Sequence, residues 1–459
     1  MRNKVVLLTM PLLASASALH GQTPSPAGGE NLQQPNVLFI IADDLATRLG
    51  CYGDSAAVTP HLDKLASEGV LFERAYAAGT VCTPSRKSFL TGLSVATVGH
   101  GNNNYLKDHP EAMTLPRWFR EHGYQTAKVG KVQHTDEYEG PLDWDLNLNL
   151  TEKFPGGNVG KVRTNLVSKT GQVMGTIDVR QDDQASIDEG RTDVFKKFLG
   201  SLRDSSKPFF FALGCHSAHL PHEANLRHYK MHPLERMPLT IAPAGATPMV
   251  KPSDLKIFQD LQEDTQRQAI QGYYAAVSGL DEQIGRALKF LEEQGLAGNT
   301  IVVFASDQGY CLGYRNCWAK HIVYPAVLRV PLIVRYPGMP NAGSRTAGLV
   351  ELLDIFPSLC ELSGLPIPDG LDGTSFVPLV KNPAGEGKVA VYARGILFGE
   401  PVVTTRDWTY MEWDNGALKE FYHISKDTQA WFNLSANPEV QPEMNRHKEL
   451  LRMEFGQKK

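Results

Sequence analysis

Cys82-Thr83-Pro84-Ser85-Arg86 sets a thiol at the start of a Pro-containing turn, with a guanidinium four residues further on. A cysteine ahead of such a turn serves as a small packing residue as readily as a reactive one. If the Pro84 segment begins a helix, Arg86 stands one turn beyond Cys82. That spacing suits an exposed helical arginine and an anion-binding fork equally. Two other elements carry acids: Asp43-Asp44 after the apolar run Asn36–Ile41, and Asp307-Gln308-Gly309 after Ile301–Ala305. Adjacent carboxylates repel unless something positive lies between them, so Asp43-Asp44 reads either as a helix N-cap beside a solvated acid or as part of a metal site. Asp-x-Gly after a strand is common turn chemistry. Taken together, the two elements bring three carboxylates and an amide oxygen to strand ends, a donor set that suits Ca²⁺ or Mg²⁺ over zinc.

Three further motifs carry cations and imidazoles. Gly130-Lys131-Val132-Gln133-His134 ends another apolar stretch, where Lys131 and His134 read on spacing alone as surface residues. Cys215-His216-Ser217-Ala218-His219-Leu220-Pro221-His222 holds three histidines in seven residues, but it lacks the paired Cys or Glu spacing of a transition-metal site. Trp318-Ala319-Lys320 follows the second acidic element, and its lysine too reads as a surface group on spacing alone.

The elements that must position these groups are short apolar strands alternating with helical patterns. Apolar runs at Asn36–Ile41, Thr126–Val129, Pro208–Leu213, Ile301–Ala305 and Pro331–Val334 read as strands buried on both faces. Helical patterns occupy Pro60–Gly69, Pro84–Thr91, Leu115–His122, Asp188–Leu199 and Ala269–Gln294, the last stopped by Gly295. This alternation predicts an α/β fold with a large, mostly parallel sheet sandwiched by helices, whose ligands gather at the carboxyl ends of the strands. Beyond about Pro383 the segments Val389–Arg394, Val402–Thr405, Thr409–Trp413 and Glu420–Ile424 are short, alternating and aromatic, which predicts a small antiparallel sheet. Polar Lys161–Asp183 reads as a loop or insertion over the site.

From Asn36 to about Asn445 these motifs, in this order, resemble the type I sulfatases of the alkaline phosphatase superfamily. The forms Lys-x-x-His, Ala-His-x-Pro (for the family's Pro-His-x-Pro) and Trp-Ala-Lys are most similar to the iduronate-2-sulfatase branch. The resemblance implies that Cys82 is oxidised to formylglycine by a formylglycine-generating or anaerobic maturation enzyme. The hydrated aldehyde would then attack the sulfate ester and pass through a covalent sulfo-enzyme. It implies Ca²⁺, ahead of Mg²⁺, bound by Asp43, Asp44, Asp307, Gln308 and the matured Cys82. Many relatives carry Asn or His where Gln308 stands. It assigns Arg86 to the nucleophile's oxygen, Lys131 and Lys320 to sulfate, His134 to the base and His219 to the general acid, with His216 and His222 as alternatives for the last. Substrate contacts are expected from Lys131, His219, Lys320, Asn104, His222 and Arg315, and specificity from Asn102–Tyr105, Lys161–Asp183, Tyr314–Arg315 and the C-terminal sheet. The expected substrate is a sulfated saccharide, such as a fragment of ulvan, a glycosaminoglycan or another algal glycan. A phosphodiesterase or phosphonate monoester hydrolase of the same superfamily, and a non-catalytic carbohydrate-binding relative with an unconverted cysteine, are the rival readings.

Composition sets the outer bounds. The 459 residues are 42% hydrophobic and 21% charged, which excludes a mainly disordered chain. A basic start, the apolar run Val5–Leu13 and small residues through Ala18 predict a cleaved signal peptide and a periplasmic or secreted protein. The expected division is residues 1–22 signal peptide and leader, 35–383 catalytic domain and 384–459 C-terminal subdomain. No later stretch has the length of a membrane span. The formal charge of −4, more acidic once Arg2 and Lys4 are removed, argues against nucleic acid as a partner. Export permits disulfides. Among the six cysteines Cys311 and Cys317 are the closest pair to form one, and setting Cys82 aside leaves an odd number.

Overall fold

Asn36–Ala42 (β1) is buried along its whole length and lies inside an eight-stranded sheet. The computed structural model describes residues 34–101, 105–134, 143–149, 161–249, 261–397 and 399–456. The expected signal peptide, residues 1–22, and Asn104 lie outside them. With β2 Val70–Phe72, β3 Gln125–Gly130, β4 Leu146–Asn147, β5 Phe209–Gly214, β6 Thr300–Ser306, β7 Leu332–Arg335 and β8 Ser344–Thr346, the sheet order is β8-β2-β7-β6-β1-β5-β3-β4. The block from β6 to β4 is parallel, whereas β7 runs antiparallel to both β6 and β2. The sheet is thus mixed and mostly parallel.

β1 shows why such strands read as unbroken apolar runs. Leu38, Ile40 and Ala42 enter one core with Tyr273, Val277, Leu280 and Ile284 of the long helix Glu263–Glu293. Val37, Phe39 and Ile41 enter a second core with Phe89 and Leu90 of the helix Cys82–Thr91. Both faces are covered, so no residue of the strand can be polar without a partner. Each large apolar side chain so buried contributes roughly 1.5–3 kcal/mol.

Register decides where the functional groups emerge. Ala42 pairs with Ser306, Ile41 with Gly214, and Gly130 with Gly214. Hence Asp43, Asp307, Cys215 and Lys131 leave the sheet side by side along its carboxyl edge. The β3–β5 exit is tight. A Cβ on Gly130 (φ +78°) would fall 1.8 Å from the Gly214 carbonyl oxygen, and one on Gly214 would fall 2.3 Å from the Lys131 carbonyl carbon. Only glycine fits at either place.

Four antiparallel strands, Ala390–Arg394, Pro401–Thr405, Thr409–Trp413 and Leu418–Tyr422, form the expected C-terminal sheet. The final helix, Gln441–Phe455, packs Met444 and Leu451 against Val403, Tyr410 and Phe421. Lys161–Asp183 departs from expectation. Lys161–Val167 and Val173–Arg180 form a hairpin, and the second strand pairs in parallel with His222–Asn225. Its polar side chains pair with one another: Lys161 and Arg163 both bind Asp178, and Arg180 binds Glu223. Among the described residues no helix is long and apolar enough to cross a membrane.

Candidate active site

Asp43 and Asp44 continue β1, and Asp307 and Gln308 continue β6. All four are buried. Asp44 takes a left-handed backbone (φ 60°) that turns the chain out of the sheet. Such a conformation persists where its surroundings over-determine it. Here the Asp44 amide donates to Asp307 Oδ1 (3.1 Å) and the Tyr273 hydroxyl to the Asp44 carbonyl (3.1 Å).

Cys82 is the first residue of the helix Cys82–Thr91, whose N-terminus points at the strand ends. Ser85 Oγ donates to the Asp307 carbonyl (2.5 Å) and fixes the helix there. One turn along, Arg86 is 1% exposed, so it is no surface arginine. Its Nε binds Asp307 Oδ2 (2.7 Å), one Nη binds Asp43 Oδ1 (3.1 Å), and the other donates to the carbonyls of Lys131 and Val132. A single fork therefore ties the ends of β1, β6 and β3 together.

The Cys82 sulfur sits among charges. It lies 3.3 Å from Asp43 Oδ1, 3.3 Å from Lys131 Nζ, 3.2 Å from Lys320 Nζ and 3.4 Å from Gln308 Nε2. Lys131 Nζ also binds Asp43 (2.6 Å), and Lys320 Nζ binds Asp44 (2.5 Å). His219 Nδ1 donates to the Leu220 carbonyl (2.5 Å), which leaves Nε2 facing Asp44 Oδ2 at 3.7 Å. His134 stands at the rim and is exposed.

These charges set the protonation states. Burial opposes ionisation of Asp43, yet Arg86 and Lys131 hold its carboxyl well below the usual range. Burial raises Asp307 against the pull of Arg86, with the Asp43 charge added. Burial, then Asp307, Asp43 and Asp44, push the Cys82 thiol up to about 12, so the unmodified side chain is a poor nucleophile at neutral pH. Partial burial, Lys131 and Arg86 lower the pKa of His134.

The donor chemistry fits a hard divalent cation. Asp43 and Asp307 bring carboxylate oxygens within 4.8 Å of each other and of the Cys82 sulfur. Asp44 adds a third carboxylate, and Gln308 Oε1 is buried with no hydrogen-bond partner. Arg86, Lys131 and Lys320 match the three acids charge for charge, so each lysine that an anion draws away leaves a carboxylate in need of another positive partner.

Two residues expected at the substrate are engaged within the protein itself. His222 is fully buried, with Nδ1 on the Ala218 carbonyl (2.9 Å) and its ring edge-on to Tyr273 and Tyr310. It supports the site from within the core. The Arg315 guanidinium donates to the carbonyls of Thr247 (2.7 Å) and Ala430 (2.5 Å) and lies over Tyr324 and Trp431, so it clamps the 310–320 loop to the C-terminal segment.

Other positioning residues carry no sequence signal. Asp188 accepts from the His216 and Ser217 amides (2.7 and 2.9 Å) and fixes the start of the histidine loop. Asn149 bonds both the amide (2.7 Å) and the carbonyl (2.9 Å) of Gly130, the residue before Lys131.

Burial lowers the His222 pKa to about 4, below the ordinary ~6.5 of the unfolded chain. The unfolded state therefore takes up this proton first. Stability is full above about pH 6.5 and falls as pH drops toward 4, by up to about 3 kcal/mol from this group. A His222→Gln variant is expected to show a flatter dependence of melting temperature on pH between 7 and 4.5. Parallel curves would mean that His222 is not the group responsible.

A cysteine at a helix N-terminus, ringed by carboxylates and lysines at the edge of a largely parallel sheet, has surroundings suited to a hydrolase for anionic esters. A sulfatase family model matches residues 35–365, and a model described as the C-terminal part of N-sulphoglucosamine sulphohydrolase matches 313–454. The chain belongs to the sulfatase family, as a type I sulfatase of the alkaline phosphatase superfamily. Iduronate 2-sulfatase of Mus musculus is 35% identical over 393 residues, 72% of this chain and 69% of the relative. An ulvan-active sulfatase of Formosa agariphila is 29% identical over 442 residues, 90% and 79%. A solved structure in complex with its substrate, D-glucosamine-2-N,6-O-disulfate, superposes with a TM-score of 0.74 at 22% identity, covering 92% of this chain and 98% of that one.

Proposed function

We propose that this protein hydrolyses sulfate esters on a sulfated saccharide, with position 82 as the nucleophile. The observation that carries the reading is the set of contacts of the Cys82 sulfur with two lysines, an acid and an amide at a helix N-terminus. The sugar class is supported by the names of relatives that act on iduronate and ulvan. Once converted to formylglycine, residue 82 would supply a hydrated aldehyde hydroxyl as the attacking group. A divalent cation, Ca²⁺ ahead of Mg²⁺, would be held by Asp43, Asp44, Asp307 and Gln308 and would add positive charge beside the reacting oxygens.

The chain's own groups do the rest. Lys131 and Lys320 move from their carboxylate partners to the sulfuryl oxygens and offset their charge. Arg86 orients residue 82 and neutralises the acids behind it. His219, with Nδ1 held by Leu220, keeps Nε2 free to carry a proton to the leaving sugar oxygen. His134 takes a proton from the nucleophile's side of the site, and its lowered pKa suits a base. Export by an N-terminal signal, and maturation by a formylglycine-generating or anaerobic enzyme, belong to the same reading.

The test is sulfate release from a panel of sulfated oligosaccharides by protein produced with a maturation enzyme. Aryl sulfate and phosphate diesters run beside it, and faster turnover of the diester would replace the reading. Chelation with EGTA is expected to lower sulfate release at least about 10-fold, with Ca²⁺ restoring it better than Mg²⁺. Activity indifferent to exhaustive chelation would remove the cation from the account.

A further inference from the structure

The loop that carries Lys320 is strained. Leu312 (φ 46°), Arg315 (50°), Asn316 (60°) and His321 (85°) all take left-handed backbone without being glycine. Such residues stay put only where other contacts over-determine them. Arg315 supplies one restraint through its hold on Thr247 and Ala430. The backbone supplies another. The Cys311 amide donates to the Ala319 carbonyl (2.8 Å), Gly313 to Cys317 (2.8 Å), Tyr314 to Cys311 (2.9 Å) and Cys317 to Tyr314 (2.9 Å). This ladder folds the segment back on itself and brings the Cys311 and Cys317 side chains together. Both are buried in one apolar cluster, each close enough to influence the other's ionisation, and Cys317 Sγ also contacts the Lys320 carbonyl (3.8 Å). Nothing in the proposed reaction uses either sulfur.

We propose that Cys311 and Cys317, both thiols in this structure, are joined by a disulfide in the mature protein, a clasp that closes this short loop and holds Lys320 against residue 82. A disulfide-bearing protein oxidant is the co-reactant. A thiolate from one cysteine attacks it to form a mixed disulfide, and the second cysteine's sulfur displaces it. Two S–H bonds are lost, one S–S bond forms, and two electrons and two protons leave with the oxidant as its dithiol. The exchange takes place while the segment is still open, since both sulfurs are covered in the folded chain. The Cys82 sulfur faces Asp43, Lys131, Gln308 and Lys320, so this pairing leaves it outside the disulfide and available for the proposed conversion.

The activity part of the inference rests on the proposed role of Lys320; the covalent part does not. The exported full-length protein is alkylated under denaturing, non-reducing conditions and digested with trypsin, which cuts after Lys289, Arg315 and Lys320. The expected result is Phe290–Arg315 linked to Asn316–Lys320, releasing both peptides on reduction. Two separate alkylated peptides, or either cysteine linked elsewhere, would overturn the proposal. Protein unfolded and refolded with reductant present, so that both sulfurs stay thiols, is then expected to melt about 2–5 °C lower than the oxidised enzyme and to show a several-fold higher KM for the sulfate ester with a smaller change in kcat. A Cys311→Ala/Cys317→Ala double variant should match the reduced enzyme and ignore reductant, while Cys51→Ser should respond as wild type does. A reduced enzyme with unchanged melting temperature and KM would defeat the clasp. If no sulfate ester were turned over at all, the peptide map and the melting shift would still decide it.

Discussion

Cys82→Ala is expected to abolish sulfate release, by at least about 10⁴-fold in kcat/KM, while leaving the melting temperature nearly unchanged. The change removes one small buried sulfur whose partners, Lys131, Lys320 and Asp43, already bond to one another or to other groups. No large cavity opens and no charge is orphaned, so stability has little to lose. Activity has everything to lose, because alanine offers no oxygen to attack sulfur. A folded Cys82→Ala protein that kept more than about 1% of wild-type turnover would remove residue 82 from the mechanism.

Arg86→Met should do the opposite to stability. Methionine fills a similar volume, but it leaves Asp43 and Asp307 buried without their guanidinium, a loss of about 3–5 kcal/mol for breaking a buried pair from one side. The lost fork also releases the carbonyls of Lys131 and Val132, so the lysine next to residue 82 shifts. Turnover should fall at least about 100-fold. Arg86→Lys is expected to fall between, since it keeps the charge and loses the fork. Thermal melts and kcat/KM on the three proteins check the order. Equal melting temperatures for Arg86→Met and wild type would show that the acids do not depend on the guanidinium.

Legibility in the sequence followed burial. Asn36–Ala42 and Thr300–Ser306 are apolar on both faces, so the acids behind them could be placed at one sheet edge before any contact was known. The hairpin Lys161–Arg180 hid because its strands are stabilised by charge pairs such as Arg163–Asp178 and Arg180–Glu223, and a polar run looks like a loop. The helix Gln441–Phe455 hid because it buries only Met444, His447 and Leu451, too thin a stripe to stand out. His216, His219 and His222 look alike in one dimension. What separates them is the packing of Tyr273 and Tyr310 around His222, and Tyr310 lies some ninety residues further along the chain. Arg315 looked like a free cation for a similar reason: its acceptors, the carbonyls of Thr247 and Ala430, belong to distant segments.

The near-complete enclosure of Cys82, 3% exposed beneath groups contributed by Asp43, Lys131, Asp307 and Lys320, has a temporal consequence. Under the proposed maturation, the catalyst that converts this side chain would have to meet it in an unfolded segment, before the stretch around residue 307 has docked over it. On that reading, conversion and folding would compete during biogenesis. Faster synthesis in a host with scarce modifying machinery should fill the culture with well-folded molecules that are permanently inert.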